Sequence, residues 1–429
     1  MDINIGLLGC GTVGEGVVEL VRRRTEKITD LTGFRPLIRK ILVRDVTKTR
    51  NVAFVDEMLT ANPTDILQDA SIQVVVETIG GIEPARSFIL QALRNGKHVI
   101  TANKDLIALH GTEILEVAET HGVDVLFEAA VGGAIPLVGP LKDNLTANEV
   151  TDLKGIINGT TNYILTKMTE TGTDFYSALA EAQRLGFAEA DPSSDVDGLD
   201  AARKLVILAS IAFQTTVHLD EVQVTGIRHI TASDVAYAAE IGTVIKLLAV
   251  GSDNDGQLAL SVRPTLIPKA HPLAHVSGSF NALFVRGDAA GDLMFFGRGA
   301  GSLPTASAVV GDVIALCRNL RLGVAGQSTA RTVLQKSVQA ADSTIYRHYL
   351  RMSAHDRPGV FARIAQLFGE ADASMETVLQ KRAHDGFAEI VVVIHESSVH
   401  QVSRLVQNLE ALPDVAAVNV VMPVEPLAE

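Results

Sequence analysis

Ile3-Asn-Ile-Gly-Leu-Leu-Gly-Cys-Gly-Thr-Val-Gly14 is a short apolar strand running straight into a Gly-x-Gly-x-x-Gly turn, and a helical run from Glu15 to Ile28 follows. Strand, glycine turn and helix in that order read as a dinucleotide-binding unit. Gly9 permits the tight turn, Gly11 lets the backbone approach a pyrophosphate, and Gly14 allows close packing of helix on strand. The helix N-terminus adds N–H groups and a positive dipole end. Cofactor contacts are therefore expected at Gly9, Gly11, Thr12, Val13 and Gly14, with Cys10 serving packing.

Working outward, a second strand from Arg35 to Val43 ends in Arg44-Asp45. The usual fingerprint places an acid on the ribose diol about 20 residues beyond the glycines. Here the strand end lies further on and Arg44 comes first. Arg44 suits a 2'-phosphate and Asp45 a diol, so the reading favours NADP and leaves NAD open. Strands at Gln73 to Glu77, Lys97 to Ile100 and Val123 to Phe127 alternate with helices. This predicts an open parallel sheet whose ligand sits beyond the carboxyl ends of the strands, where Thr78, Lys104 and Glu128 fall.

Beyond residue 135 the pattern changes. A helix over Pro136 to Asn144, a strand over Glu149 to Ile157, helices near 163–170 and 174–185, and strands at 242–250, 257–267, 280–286 and 291–296 predict an α+β domain with a mixed or antiparallel sheet. The stretch from Gly186 to Lys204 concentrates Glu189, Asp191, Asp195, Asp200 and Lys204 at the entrance to an apolar helix, Leu199 to Phe213. Asp200 precedes Lys204 by one turn on the same face, and a buried lysine needs such a partner. The plainer reading is a surface ion pair after an acidic loop. Phe296 to Pro304 is a second glycine-rich loop entering a helix, and Gly301 is placed either to approach the cofactor or simply to open that helix. The last segment, from about 346, reads βαββαβ.

A chain of 429 residues, 47% hydrophobic and 20% charged, has enough apolar content for several domains. Its formal charge of -13, with no Lys/Arg cluster, argues against a nucleic-acid partner. No apolar run is long enough for a membrane span, and the N-terminus lacks the features of a signal peptide. Cys10 and Cys317 are the only cysteines. That excludes a disulfide framework and suits a reducing cytoplasm.

Gly9-x-Gly-x-x-Gly14, Thr101-Ala-Asn-Lys104, Glu128-Ala-Ala-Val-Gly-Gly133, Asn158-Gly-Thr-Thr-Asn162, the Gly186 to Lys204 segment and Gly297-Arg-Gly-Ala-Gly301 resemble, in order, the homoserine dehydrogenases. The resemblance implies NAD(P)H-dependent reduction of L-aspartate 4-semialdehyde to L-homoserine in threonine, methionine and isoleucine biosynthesis. It implies Lys204 as proton donor and Lys104 as a second lysine near the reacting oxygen. It further implies substrate binding by Glu189 and Asp200, with Asp195 and the Gly186 turn in support. Glu128, with the backbone carbonyls of Val131, Gly133 and Ile135, resembles the family's monovalent-cation site, for sodium. The Asp356-Arg-Pro-Gly-Val360 turn makes the C-terminal segment similar to an ACT domain, with a ferredoxin-like fold and L-threonine as the implied effector. A homodimer or homotetramer is expected by fold analogy.

The expected organisation is a Rossmann-type domain over 1–134 with about 305–345, a catalytic and dimerisation domain over 135–304, and an ACT-type regulatory domain over 346–429. With no aspartokinase-like segment ahead of Met1, a monofunctional enzyme is expected. Two other readings are a different nicotinamide-dependent dehydrogenase of amino-acid aldehydes, and a non-catalytic sensor of nucleotide and amino acid. Lys104, Glu189, Asp200 and Lys204 argue against the sensor, which has no need of a proton donor.

Overall fold

The computed structural model describes residues 1–48, 50, 58–327, 334–380 and 386–426. The chain divides into two compact units, one of residues 1–153, 203–221 and 281–335, the other of residues 154–202, 222–280 and 336–429.

In the first unit β1 (Asp2–Leu8), β2 (Arg35–Leu42), β3 (Leu59–Thr60), β4 (Val74–Glu77), β5 (His98–Thr101) and β6 (Val125–Leu126) form a six-stranded sheet of order β3-β2-β1-β4-β5-β6. Every recorded pairing in it is parallel. Between them run α1 (Thr12–Thr32), α2 (Thr64–Leu67), α3 (Ala85–Arg94) and α4 (Lys104–His121). The strand order reverses between β1 and β4, which opens the ligand crevice at their carboxyl ends. Ile3, Ile5, Leu7, Val74 and Val76 of the sheet share one core with Val17 and Val21 of α1 and with Val309, Val313 and Leu316 of α10 (Ser302–Leu322). Gly16 lets α10 come close, because a Cβ there would lie 2.7 Å from the Ser302 carbonyl oxygen.

Two elements are shorter than the sequence predicts. The strand expected over Val123 to Phe127 is only Val125–Leu126, since as the last strand it pairs with β5 alone and the Asp124 N–H donates to Nδ1 of His98. The helix expected over Pro136 to Asn144 begins only at Val138 and widens at Pro140–Asn144. Pro140 has no N–H to pair with the Pro136 carbonyl, so the first turn starts late, and the N–H groups of Leu137, Val138 and Gly139 donate to the Glu128 carboxylate. In this unit β7 (Val150–Ile156) begins beside β11 (Phe280–Gly287), which pairs with β12 (Gly291–Arg298).

The second unit holds α5 (Gly159–Thr171), α6 (Phe175–Arg184), α7 (Ser193–Val196) and α9 (Ala232–Glu240). The apolar helix α8 (Leu199–Ala212) starts here and enters the first unit at Arg203. The long strands β9 (Thr243–Asn254) and β10 (Gln257–Pro268) are antiparallel, while β8 (Gln223–Val224) and β13 (Ser337–Val338) pair parallel to β10, so the sheet is mixed. Through the Leu266 and Val424 pair it continues into an antiparallel sheet of order β17-β14-β16-β15. These strands are β14 (Ile345–His355), β15 (Met375–Gln380), β16 (Phe387–Ser398) and β17 (Val415–Val424), interleaved with α11 (Val360–Glu370) and α12 (Val399–Glu410). This is the βαββαβ order the sequence predicts. Leu350, Met352, Val392 and Ile394 pack on Ile364, Phe368 and Leu405 of the two helices. Among the described residues no helix is long and apolar enough to cross a membrane.

Candidate active site

At the crevice of the first sheet, Gly9 has φ +99° and α1 begins at Thr12 with Gly11 as N-cap, with no side chain capping it. The open N–H groups of that first turn are left for an anion. A Cβ at Gly11 would meet nothing within 4 Å, whereas one at Gly14 would lie 2.5 Å from the Gly9 carbonyl oxygen. Gly11 thus leaves room for a ligand and Gly14 lets the helix pack, the division of labour the motif predicts. Thr78 Oγ1 donates to the Gly9 carbonyl at 3.1 Å, and Ser302 Oγ donates to the Thr12 carbonyl at 2.6 Å, which brings the Gly301 turn against the start of α1.

A cavity of about 750 Å³ opens there, lined in part by Gly9, Gly11, Thr12, Arg44, Arg50 and Thr78. Arg44 is exposed at its rim, and Lys48 also lines it. Asp45, the candidate for a ribose diol, is turned to its own loop. Its Oδ1 accepts from the Thr47 N–H (2.8 Å) and Oγ1 (2.6 Å), and those bonds hold its pKa below the usual carboxylate value. Arg50 stitches the same loop through the carbonyls of Asp45 and Lys48. Sequence reasoning missed Lys48 and Arg50, whose positions in a loop past the strand end follow no motif spacing.

The second constellation of this unit starts from Glu77, fully buried at the end of β4. Its Oε1 accepts from the N–H groups of Ile79 (2.7 Å) and Gly80 (3.0 Å), and its Oε2 from Thr101 Oγ1 (2.5 Å). Burial raises its pKa against the pull of those bonds. Asn103 donates to the Gly81 carbonyl at 2.7 Å and caps α4 by accepting from the Leu106 N–H at 3.2 Å. The network therefore fixes both the 78–81 loop and the first residue of α4, which is Lys104. Arg203 of α8 meets Asp105 of α4 at 3.2 Å, so the segments carrying Lys104 and Lys204 are held together. Both lysines are partly buried.

Glu128 has its carboxylate engaged by Leu137, Val138 and Gly139, with bonds of 2.6–2.9 Å, while its own N–H donates to Asp312 at 3.0 Å. Burial first, and then the Glu128 charge, raises the Asp312 pKa well above the usual carboxylate range. Val131, Gly133 and Ile135 are buried, and among the described residues no hydrogen bond reaches their carbonyl oxygens. Buried carbonyls without donors are what a hard cation needs. No group of three or more His, Cys, Asp or Glu side chains is placed to hold a metal among the described residues.

In the second unit Asn158 caps α5, accepting from the Thr161 N–H at 2.9 Å. Its amide donates to Asp195 Oδ1 at 2.7 Å and to Asp200 Oδ2 at 2.8 Å. Two carboxylates gathered on one neutral amide favour a cation beside them. Asp200 is 5% exposed, and α8 carries Lys204 one turn further on. Glu189 sits exposed on the loop after α6, where Gly186 (φ +78°) makes the turn. Asn158 was visible only as part of a motif, and its bridging role was not read.

Comparison with known proteins follows the same lines. Residues 136–314 match the family described as homoserine dehydrogenase, residues 9–128 its NAD-binding domain, and residues 348–414 the ACT domain. A homoserine dehydrogenase of Bacillus subtilis is 43% identical over 419 residues, 97% of each chain. One from Corynebacterium glutamicum is 45% identical over 430 residues, covering 99% of this chain and 96% of the relative. The crystal structure of a homoserine dehydrogenase from Thiobacillus denitrificans superposes with a TM-score of 0.94 at 40% identity, covering 99% of this chain and 98% of that one. A hyperthermophilic archaeal homoserine dehydrogenase in complex with NADPH aligns over 73% of this chain and 97% of its own, with a TM-score of 0.62 at 27% identity.

Proposed function

This chain belongs to the homoserine dehydrogenase family, with a C-terminal ACT domain, and from that premise we propose which of its residues do the work and what governs them. It is an oxidoreductase that reduces L-aspartate 4-semialdehyde to L-homoserine with NAD(P)H, in threonine, methionine and isoleucine biosynthesis. The bound nicotinamide supplies the hydride. What this chain supplies is charge and a proton. As the aldehyde carbon is reduced, negative charge develops on its oxygen, and an ammonium placed there stabilises the charge and delivers the proton. Lys204 takes that role, with Lys104 as a second positive group beside it. The observation carrying this assignment is the Arg203–Asp105 pair, which holds the two lysine-bearing segments together. Asp200 and Asp195, gathered on Asn158, with Glu189, take the substrate's ammonium side, and the Gly186 turn sets the loop that carries Glu189.

The cofactor preference we propose is NADP. Arg44, Lys48 and Arg50 line the cavity beside the glycine turn and would suit a 2'-phosphate, while Asp45 is committed to Thr47. A sodium ion is assigned to the carbonyl cluster of Val131, Gly133 and Ile135 with Glu128, whose oxygen-only donor set suits a hard monovalent cation. L-Threonine is proposed as the effector of the ACT domain. A homodimer or homotetramer is proposed from β12, a strand at the sheet edge that exposes Met294 and Phe296.

One assay tests the set: initial rates of aspartate semialdehyde reduction followed at the nicotinamide absorbance. NADPH is expected to outperform NADH, and Arg44→Ala to reduce that preference about tenfold, the scale of one charge-assisted hydrogen bond. An unchanged ratio removes Arg44 from cofactor choice. Replacing sodium by tetramethylammonium is expected to slow turnover. Threonine is expected to inhibit the full chain and to lose its effect on an active chain ending at residue 345; inhibition that persists there places the effector site elsewhere.

A further inference from the structure

A cavity of about 370 Å³ lies within the second unit, outside the constellations described above, lined by residues of β10, β14, β17 and α12. Arg263, Thr225, His348, Val402, Ser403 and Gln407 are among its walls. Arg263 is unusual in having almost nothing to answer its charge. Its guanidinium lies 4.2 Å from the centroid of the Tyr346 ring, and its Nε donates to Ser261 Oγ at 3.3 Å. Its Nη2 is buried with no acceptor, and among the described residues no carboxylate pairs with it. Among the described residues no acidic one lines the cavity, in a chain whose formal charge is -13. His348, 3% exposed, donates from Nε2 to the Ser397 carbonyl at 3.0 Å, and burial pushes its pKa down to about 4, so near neutral pH it adds no charge. Arg263 is thus the single charged side chain of the lining among the described residues. Valines 399, 402 and 406 of α12 supply an apolar wall.

We propose that this cavity binds a small organic monocarboxylate with a short branched aliphatic tail, its carboxylate on Arg263 and its tail against the valines of α12. A guanidinium stacked on an aromatic ring and without an acidic partner favours a carboxylate beside it. The volume lies at the low end for small-molecule sites, which suits a short acid. The lining gives an ammonium group no anionic partner, so the site selects acids without an α-amino group over amino acids. It is therefore separate from the threonine effect proposed above, and binding can be measured without turnover.

The test is calorimetric titration of the full chain with 3-methylbutanoate, with L-valine and inorganic phosphate as comparison ligands. Saturable binding of 3-methylbutanoate is expected, with valine and phosphate weaker by about tenfold or more. Arg263→Gln should weaken it to a similar extent, and so should Ser403→Phe, which blocks the cavity from an exposed helix position and leaves the core untouched. Absence of saturable binding to the unmodified chain would overturn the assignment. So would valine or phosphate binding as tightly as 3-methylbutanoate, or binding preserved in both folded variants.

Discussion

Lys204→Ala lowers kcat for aspartate semialdehyde reduction by about 10²- to 10⁴-fold, the usual worth of a positioned acid, while NADPH binding is unchanged. The cofactor cavity is lined by the glycine turn, the 44–50 loop and Thr78, none of which belongs to α8, so the loss falls on chemistry alone. The helix survives the change because Leu205, Leu208 and Ala209 anchor it in the core and Arg203 remains paired with Asp105. Lys204→Arg separates two contributions. Arginine keeps the positive charge but does not release its proton near neutral pH. If Lys204 delivers the proton, the arginine variant loses nearly as much turnover as the alanine variant. If it only stabilises charge, the arginine variant recovers most of the rate. Full turnover in Lys204→Ala would pass the donor role to Lys104, and Lys104→Ala would then show the larger loss.

The glycine turn was legible in the sequence because each glycine answers a local steric demand, and the α/β alternation followed from apolar runs of strand length between amphipathic helices. The C-terminal βαββαβ order was legible for the same reason. What stayed hidden is what long-range pairing decides. Glu77 reads as the last residue of a strand, and nothing local reveals that its carboxylate binds the next loop and the Thr101 hydroxyl. Arg50 and Lys48 reach the cofactor cavity from a loop with no periodicity. Resemblance points to Glu128 as a cation ligand, and the carboxylate's three backbone bonds cannot be foreseen, because they come from the N–H groups at the start of the next helical turn, 9 to 11 residues further on. Residues of one continuous segment, such as Asp195, Asp200 and Lys204, can be grouped from the sequence, whereas a side chain such as Asn158, which joins groups about 40 residues apart, cannot be placed with them.

Arg351→Met is expected to lower the hydrogen-exchange protection of α9 and β14 by about 3–5 kcal/mol, because it leaves a buried carboxylate without its partner. Arg351, 6% exposed on β14, meets Asp234 of α9 with Nε at 2.6 Å and Nη2 at 3.1 Å, and Asp234 is fully buried. Its Nη1 reaches Glu389 of β16 at 2.9 Å, and Glu389 also accepts from the Tyr237 hydroxyl of α9 at 2.9 Å. With the guanidinium gone, Glu389 can turn to water, since its side chain is 36% exposed, but among the described residues Asp234 keeps only Thr231 as a donor. Adding Asp234→Asn removes the stranded charge and should restore most of the protection, since the cost is that of an unpaired buried ion and not of the lost bridge itself. Exchange is the right readout because a chain of two units need not unfold in one step, and local opening reports the α9 junction directly. The same network joins the ACT sheet to α9, so an effector bound to that sheet can act on the rest of the second unit through it. If threonine acts by this route, Arg351→Met retains turnover and loses threonine inhibition together with the protection of α9; inhibition that survives the loss of protection sends the coupling through the Leu266 and Val424 pairing of β10 and β17 instead.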